Sequence, residues 1–289
     1  MNRELPPTRW HGRELCWGAK THVMAVLNRT PDSFSGDGLA GNVDRVLDAA
    51  LSAVEHGADI IDLGAESTRP GHVAISVADE LTRLLPVVNA LRPRTDALLS
   101  IDTSKSEVAA AALAAGADLI NDVRGLMADP EMAAVVAAAG VPVVVMHDLP
   151  PEPGVDLMTS ILRELSRRLD RALASGVVWE RLIVDPGFGF GKDWRQNLEV
   201  LRRFGELRVL GQPLLAGTSR KSTIGRVLGL SEGDRLEGTA ATVALAIAGG
   251  ADIVRVHDVR AMTRVARMTD AVVRGAPETA LSWPDGPPP

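Results

Sequence analysis

The segment GADLINDV (116–123) decides the fold, because the chain repeats it twice more, as GADIIDLG (57–64) and GADIVRVH (250–257). Each copy follows a stretch with apolar residues at helical spacing and continues into a short apolar run typical of a buried strand. The glycine that opens each copy suits the left-handed residue found just after many helices. The repeat therefore predicts, three times over, a helix, a glycine stop and a strand.

Further segments extend this pattern along the whole chain. Apolar runs predict five more strands, at 22–28, 98–103, 142–147, 182–186 and 213–219. Helical patterns fall at 42–56, 77–91, 105–115, 130–139, 157–175, 197–207, 238–248 and 259–274. Eight strands that alternate with helices indicate an α/β fold, a TIM (β/α)8 barrel in a single domain. A doubly wound open sheet is the alternative, but it usually has fewer strands, and the glycine-rich dinucleotide motif is missing.

Length and composition limit the remaining possibilities. The 289 residues divide into an N-terminal segment packing on the barrel (1–21), the barrel (22–275) and a proline-rich tail (276–289). A net charge of −6 argues against nucleic-acid or anionic-membrane binding. The longest apolar stretch, 132–146, contains Gly140 and Pro142 and is too short to span a bilayer. No signal peptide is visible, and the single cysteine, Cys16, fits a reducing compartment.

Polar side chains lie where the predicted strands end, whereas the residues at the strand starts suggest no function. In a barrel of this type the carboxyl ends of all the strands meet at one rim, where active sites lie. We therefore expect a functional site there, built from residues that are far apart in sequence. The strand ends carry Asn28, Asp62 with Glu66, Asp102, Asn121 with Asp122, His147, Asp185, Arg220 with Lys221, and Arg255 with His257.

These strand-end residues sort by charge into two sets. Asp102, Asn121 and Asp185 offer acceptors for a flat ligand rich in N–H donors, such as an aminopyrimidine edge. Arg255 and His257 lie two residues apart on one strand, so both should point to one side and could hold a phosphate or pyrophosphate, together with Lys221 and Asn28.

Two loops and one histidine add to this picture. TSRKS (218–222) places two adjacent cations at the start of a helix, which favours an anion site. The loops at 28–38 and 66–71 are long or glycine-bearing and could fold over a ligand. A structural role and a functional role are equally open for His147.

Several kinds of chemistry lack support in the sequence. No serine triad or zinc-spaced His–Cys cluster is evident, so a covalent intermediate has little support. The glycines of DPGFGFGK (185–192) are no Walker motif, because the spacing before Lys192 is wrong and no Ser or Thr follows it. What remains is a site that positions a flat ring and stabilises a departing dianion.

The motifs resemble those of the dihydropteroate synthase family of pterin-binding enzymes. They are, in order, NRTPDSF, ESTRPG, SIDTSK, INDVRG, DPGFGFGK, GTSRKSTIG and RVHDV, and the resemblance covers residues 24–274. It implies a cytoplasmic, usually dimeric TIM barrel of the folate pathway that is the target of sulfonamides. The implied reaction joins 6-hydroxymethyl-7,8-dihydropterin pyrophosphate to p-aminobenzoate and releases pyrophosphate, with Mg²⁺.

The resemblance also implies a role for each matching residue. The pterin would be held by Asp102, Asn121, Asp185 and Lys221, of which Asp102, Asp185 and Lys221 would be catalytic. The pyrophosphate would be held by Asn28, Arg69, Arg255 and His257, with Asn28 on the magnesium. The p-aminobenzoate pocket would be formed by Phe34, Thr68, Arg69, Pro70, Phe190, Lys221 and Ser222, with Asp32 beside Phe34 on the loop that closes over it. The mechanism would be dissociative, with the C–O bond to pyrophosphate breaking before the arylamine attacks.

Departures from the family pattern leave two alternatives open. Arg29 replaces the usual Val of the first loop, Gly36 and Asp37 stand in reversed order, and Asp148 follows His147 where a basic or neutral residue is more usual. The chain could be a non-catalytic pterin-binding paralogue, or the pterin-binding domain of a corrinoid methyltransferase. ESTRPG and SRKS favour an active synthase over both.

Overall fold

Eight parallel strands form the barrel that the repeat predicts. The computed structural model describes residues 5–28, 39–66 and 74–275. The strands are β3 (His22–Asn28), β4 (Ile60–Gly64), β5 (Leu98–Asp102), β6 (Leu119–Asp122), β7 (Val143–Met146), β8 (Leu182–Asp185), β9 (Leu215–Ala216) and β10 (Ile253–Val256). They run in the order β8-β7-β6-β5-β4-β3-β10-β9, and one bridge between Val184 and Leu214 closes the gap from β8 to β9. The predicted fold class is confirmed.

Helices cover the outside of the barrel. They are α1 (Leu39–Glu55), α2 (Val77–Leu91), α3 (Ser106–Ala114), α4 (Met132–Ala139), α5 (Leu157–Ala174), α6 (Trp194–Arg202), α7 (Ser222–Leu228), α8 (Leu236–Gly249) and α9 (Val259–Val273). The glycines that open the three repeats, Gly57, Gly116 and Gly250, have φ of 99°, 103° and 104°, as a left-handed helix stop requires. Among the described residues no helix is long and apolar enough to cross a membrane.

Two predicted elements differ from the structure. The strand predicted at 213–219 is ordered as β9 only over Leu215–Ala216, because the polar residues after it turn toward the rim, where Ser219 binds His257. The helix predicted at 197–207 begins earlier, at Trp194, since Asp193 and Gln196 form a capping box at its start. It ends at Arg202 and is followed by a 3₁₀ segment, Phe204–Leu210.

No strand was predicted before residue 22, but the structure has a short hairpin there. A hairpin of β1 (Thr8–Trp10) and β2 (Arg13–Leu15) precedes the barrel. Its Trp10 and Leu15 are buried in the main hydrophobic core, and Thr8 Oγ1 donates to the carbonyl of Glu180 at 2.6 Å. A helix of seven residues, α7, begins at Ser222, where TSRKS predicts a helix start. The tail from residue 276 lies outside the described residues.

Candidate active site

Three of the predicted pterin-binding residues lie at the carboxyl ends of barrel strands, two of them on adjacent strands. Asp102 ends β5 and is in register with Asn121 of β6, while Asp185 ends β8. All three side chains are buried. The parallel strands therefore bring to one end of the barrel acceptors that span 83 residues of sequence, from Asp102 to Asp185.

Asp62 of β4 binds Asn121 and, through Arg255, is linked to Asp102, although no sequence motif assigned it a role beyond its position at a strand end. It is fully buried and accepts from Ser100 Oγ at 2.6 Å and from Asn121 Nδ2 at 3.1 Å. Its Oδ2 also accepts from Arg255 Nε at 2.6 Å. We call Asp62, Asp102, Asn121 and Asp185 the strand-end cluster.

Arg255 is the cation that compensates the strand-end cluster. Its Nη2 donates to Asp102 Oδ2 at 2.6 Å while its Nε holds Asp62. Asp102 Oδ1 is buried and has no partner in the structure. A buried acceptor without a partner is costly unless a ligand supplies a donor, so Asp102 is well placed to bind an N–H group.

Burial raises the pKa of two carboxyls of the strand-end cluster. It raises the pKa of Asp102, an effect that Arg255 opposes and that the charge of Asp62 reinforces. Burial also raises the pKa of Asp185, whereas the backbone N–H of Gly187 (2.7 Å to Oδ1) and the charge of Lys221 lower it. Raised carboxyl pKa values in a pocket mark a functional site.

The cationic side of the pocket lies on the turn between β9 and α7. Arg220 has φ of +56°, a strained conformation for a residue with a side chain. Its guanidinium makes a bidentate pair with Asp258, at 2.9 and 2.5 Å, so Arg220 is not the free cation that the motif predicts. This fixed turn presents Lys221, whose Nζ lies 4.5 Å from the centroid of the Phe190 ring, and Ser222, the first residue of α7.

His257 follows β10 and faces solvent more than Arg255 does. Its Nδ1 is 3.0 Å from Ser219 Oγ, and its backbone N–H donates to the same oxygen at 3.2 Å. Partial enclosure, together with the charges of Arg255 and Arg220, lowers the pKa of His257 to about 4. The imidazole is therefore neutral at pH 7.

Other predicted site residues lie outside the described part of the chain. Asn28 is the last residue of β3, but its side chain is not described. Also outside the described residues are Asp32, Phe34, Thr68, Arg69 and Pro70. Glu66, which precedes the second loop, is held by Lys105, and Lys105 also binds the buried Glu80 at 2.5 Å. No sequence pattern indicated this support by Lys105 and Glu80.

The fold and the strand ends together define a class of protein, a TIM barrel that binds a flat polar ring beside an anion. Residues 24–257 match the model of the pterin binding enzyme family. The chain belongs to that family.

The most similar relatives point to one activity within the family. The dihydropteroate synthase of Synechocystis is 45% identical over 93% of this chain and 96% of its own length. That of Bacillus subtilis is 44% identical over 90% of this chain and 91% of its own length.

Solved structures agree with these relatives. The dihydropteroate synthase of Clostridium difficile, determined with pteroic acid, has a TM-score of 0.87 and 48% identity over 89% of this chain and 98% of its own. That of Xanthomonas albilineans, determined with 4-aminobenzoic acid, has a TM-score of 0.86 and 41% identity over 93% of this chain and 98% of its own.

Proposed function

We propose that this chain is a dihydropteroate synthase, a transferase that joins a pterinylmethyl group to p-aminobenzoate with release of pyrophosphate. The observation that carries the proposal is the strand-end cluster, in which a buried oxygen of Asp102 lacks a partner beside Asn121 and Asp185. An aminopterin edge offers the N–H donors that such acceptors need. The relatives named above support the same conclusion.

The pocket residues can perform this reaction without a strong base. The carboxylates of Asp102 and Asp185 stabilise the delocalised cation left on the pterin when the C–O bond to pyrophosphate breaks. Lys221, which is close to both Asp185 and Phe190, stabilises the departing anion and lines the arylamine side. The neutral arylamine then attacks the exocyclic carbon and loses its proton to solvent. Positioning and charge stabilisation supply the catalysis.

Magnesium belongs to this proposal through the family resemblance. Within residues 5–28, 39–66 and 74–275, no group of three or more His, Cys, Asp or Glu side chains could hold a metal ion. This fits Mg²⁺, which commonly keeps its waters and uses one or two protein oxygens plus substrate phosphates. We assign Asn28 as that protein ligand, and the ion would neutralise charge on the pyrophosphate.

A homodimer in the cytoplasm is part of the same proposal. Met268 and Val272 are 66% and 72% exposed and stand one turn apart on α9, and Leu245 of the neighbouring α8 is 59% exposed. Exposed apolar rows of this kind mark protein interfaces. Val272→Glu should convert the dimer to monomer in sedimentation experiments, whereas Val178→Glu, at another exposed valine, should not.

The decisive experiment measures pyrophosphate release from the purified protein with pterin pyrophosphate, Mg²⁺ and p-aminobenzoate. We expect release that depends on p-aminobenzoate and is lost in Asp185→Asn. Pterin binding without turnover would instead identify a non-catalytic pterin-binding paralogue. Methyl transfer to a corrinoid would identify the remaining alternative.

A further inference from the structure

The ammonium group of Lys192 lies inside the loop that follows β8. Its Nζ is 3.0 Å from the carbonyl oxygen of Phe190 and 3.2 Å from that of Gly187. It is also 3.0 Å from Nδ1 of His147 and 3.3 Å from the carbonyl oxygen of the same histidine. A protonated lysine donates up to three N–H bonds and accepts none, so Nδ1 of His147 is the acceptor of this contact when Lys192 is charged.

This loop, residues 187–192, lies in direct contact with the end of β7. Gly187 has φ of +71°, and a Cβ there would stand 1.9 Å from the carbonyl oxygen of His147, so only glycine fits. Gly189 donates its N–H to Asn197 Oδ1 at 2.8 Å. The backbone therefore has little lateral freedom, and its carbonyl groups converge on one point.

We propose that Lys192 is a positioning residue that fixes the 187–192 loop, and with it the Phe190 ring, on the arylamine side of the pocket. This inference rests on the proposed function, in which Phe190 contacts p-aminobenzoate. Lys192 holds the Phe190 carbonyl, and the ring of the same residue lies 4.5 Å from Lys221 Nζ. His147 acts beneath the loop as the partner of Lys192 and not as a ligand of the substrate.

Burial and the surrounding acceptors act in opposite directions on the charge of Lys192. Burial lowers the pKa of Lys192 to about 7, whereas the carboxylates of Asp185 and Asp148 oppose that shift. Burial, with the charges of Lys192 and Arg168, lowers the pKa of His147 to about 3 and keeps it a neutral acceptor. Four acceptors around one nitrogen favour the protonated lysine, because a neutral amine would turn its lone pair toward one of them.

The first test compares Lys192→Met with Lys20→Met, a change at a lysine that is paired with Asp59 on the outside of the protein. Loss of a buried donor group should raise KM for p-aminobenzoate about tenfold in Lys192→Met. KM for pterin pyrophosphate should stay within about twofold, since the strand-end cluster is intact. Lys192→Arg should recover part of the loss. An equal rise of both KM values, or no change in either, would overturn the proposal.

A double-mutant cycle then tests whether Lys192 affects KM for p-aminobenzoate by positioning the Phe190 ring. Phe190→Ala alone should raise KM for p-aminobenzoate, and adding Lys192→Met to it should cost about twofold or less, because the positioned group is already gone. A further tenfold loss in the double variant would show that Lys192 acts by another route.

Two measurements keep the proposal testable if Lys192→Met folds poorly or if the wild-type protein lacks synthase activity. His147→Gln removes the imidazole partner but leaves the carbonyl partners of Lys192, so it should raise KM for p-aminobenzoate about threefold. Hydrogen exchange needs no substrate, and the amides of Gly189 and Phe190 should exchange at least about tenfold faster in Lys192→Met than in wild type. Unchanged protection would contradict the inference, whereas protection lost in a protein without turnover would refute only the proposed function.

Discussion

The strand-end cluster and the 187–192 loop lie at the same end of the barrel but are held in place differently. In the cluster, side chains from β4, β5 and β6 are joined by hydrogen bonds to Asp62 and Arg255, and Asp62 alone accepts from three donors. In the loop, backbone carbonyls converge on the ammonium of Lys192. The cluster therefore depends on the balance of charge, and the loop on the path of the backbone. Under the proposed function, the pterin side would be tied to the strands, whereas the arylamine side would depend on the Lys192 ammonium.

The largest expected effect falls on the charge balance of the cluster. Arg255→Met would leave Asp62 and Asp102 buried without their cation, and breaking a buried ion pair in this way costs about 3–5 kcal/mol. Urea unfolding measures this loss. Adding Asp62→Asn should recover part of it, because one buried charge is removed along with its partner. A stability close to wild type in Arg255→Met would mean that the cluster is not held by Arg255.

Acid should affect the two regions in opposite directions. The folded state raises the pKa of Asp102 and Asp185, so these groups bind protons more readily when folded and favour the folded state as the pH falls. His147 behaves conversely, because its pKa is about 3 when folded and 6.5 ordinarily. Its contribution is complete above pH 6.5 and is lost as the pH falls toward 3.

His147→Gln isolates the histidine term of this pH dependence. Between pH 7 and pH 5, wild type should lose about 2 kcal/mol more unfolding free energy than the variant, since each unit below 6.5 is worth about 1.4 kcal/mol. Urea unfolding at both pH values gives the difference. Parallel curves for the two proteins would mean that His147 titrates normally and is not enclosed by the loop.

Ligand binding tests the cluster directly. Asp185→Ala should weaken binding of a pterin by about 1–3 kcal/mol, because N–H donors of the ligand are left unpaired in a buried site. Calorimetry with the pterin alcohol measures it. Asp170→Ala, at an exposed aspartate on α5, is the matched control. Wild-type affinity in Asp185→Ala would remove Asp185 from the pterin site.

The backbone architecture followed from local patterns. A glycine after an apolar helix and before an apolar run predicts a helix stop and a strand, and the positive φ of Gly57, Gly116 and Gly250 confirms the reason. The N-terminal hairpin was missed because strands of three residues are too short to show a repeated alternation of apolar and polar residues.

Site features that depend on tertiary contacts could not be predicted in the same way. The sequence placed Asp62 at a strand end, but its three donors come from three other strands. Lys192 was set aside because its motif binds no phosphate by the usual pattern, yet the structure gives it an internal role. The pairing of Arg220 with Asp258 accompanies a positive φ at Arg220, a conformation that the sequence does not predict for an arginine.

The smallest expected effect concerns His257, which lies on the outer rim and not in the strand-end cluster. Because the imidazole is neutral at pH 7, it offers the pyrophosphate a single uncharged hydrogen bond. Ser219 can donate to Nδ1, which leaves the proton on Nε2 for the ligand. His257→Ala should therefore weaken the pterin pyrophosphate by only about 0.5–1.5 kcal/mol and leave the pterin alcohol unchanged. Ser219→Ala should produce part of the same selective loss. The imidazole ring remains in this variant, but it is no longer held in the tautomer that carries its proton on Nε2. Calorimetry with both ligands separates these outcomes. An equal loss for the two ligands would show that His257 supports the pocket as a whole and does not contact the leaving group.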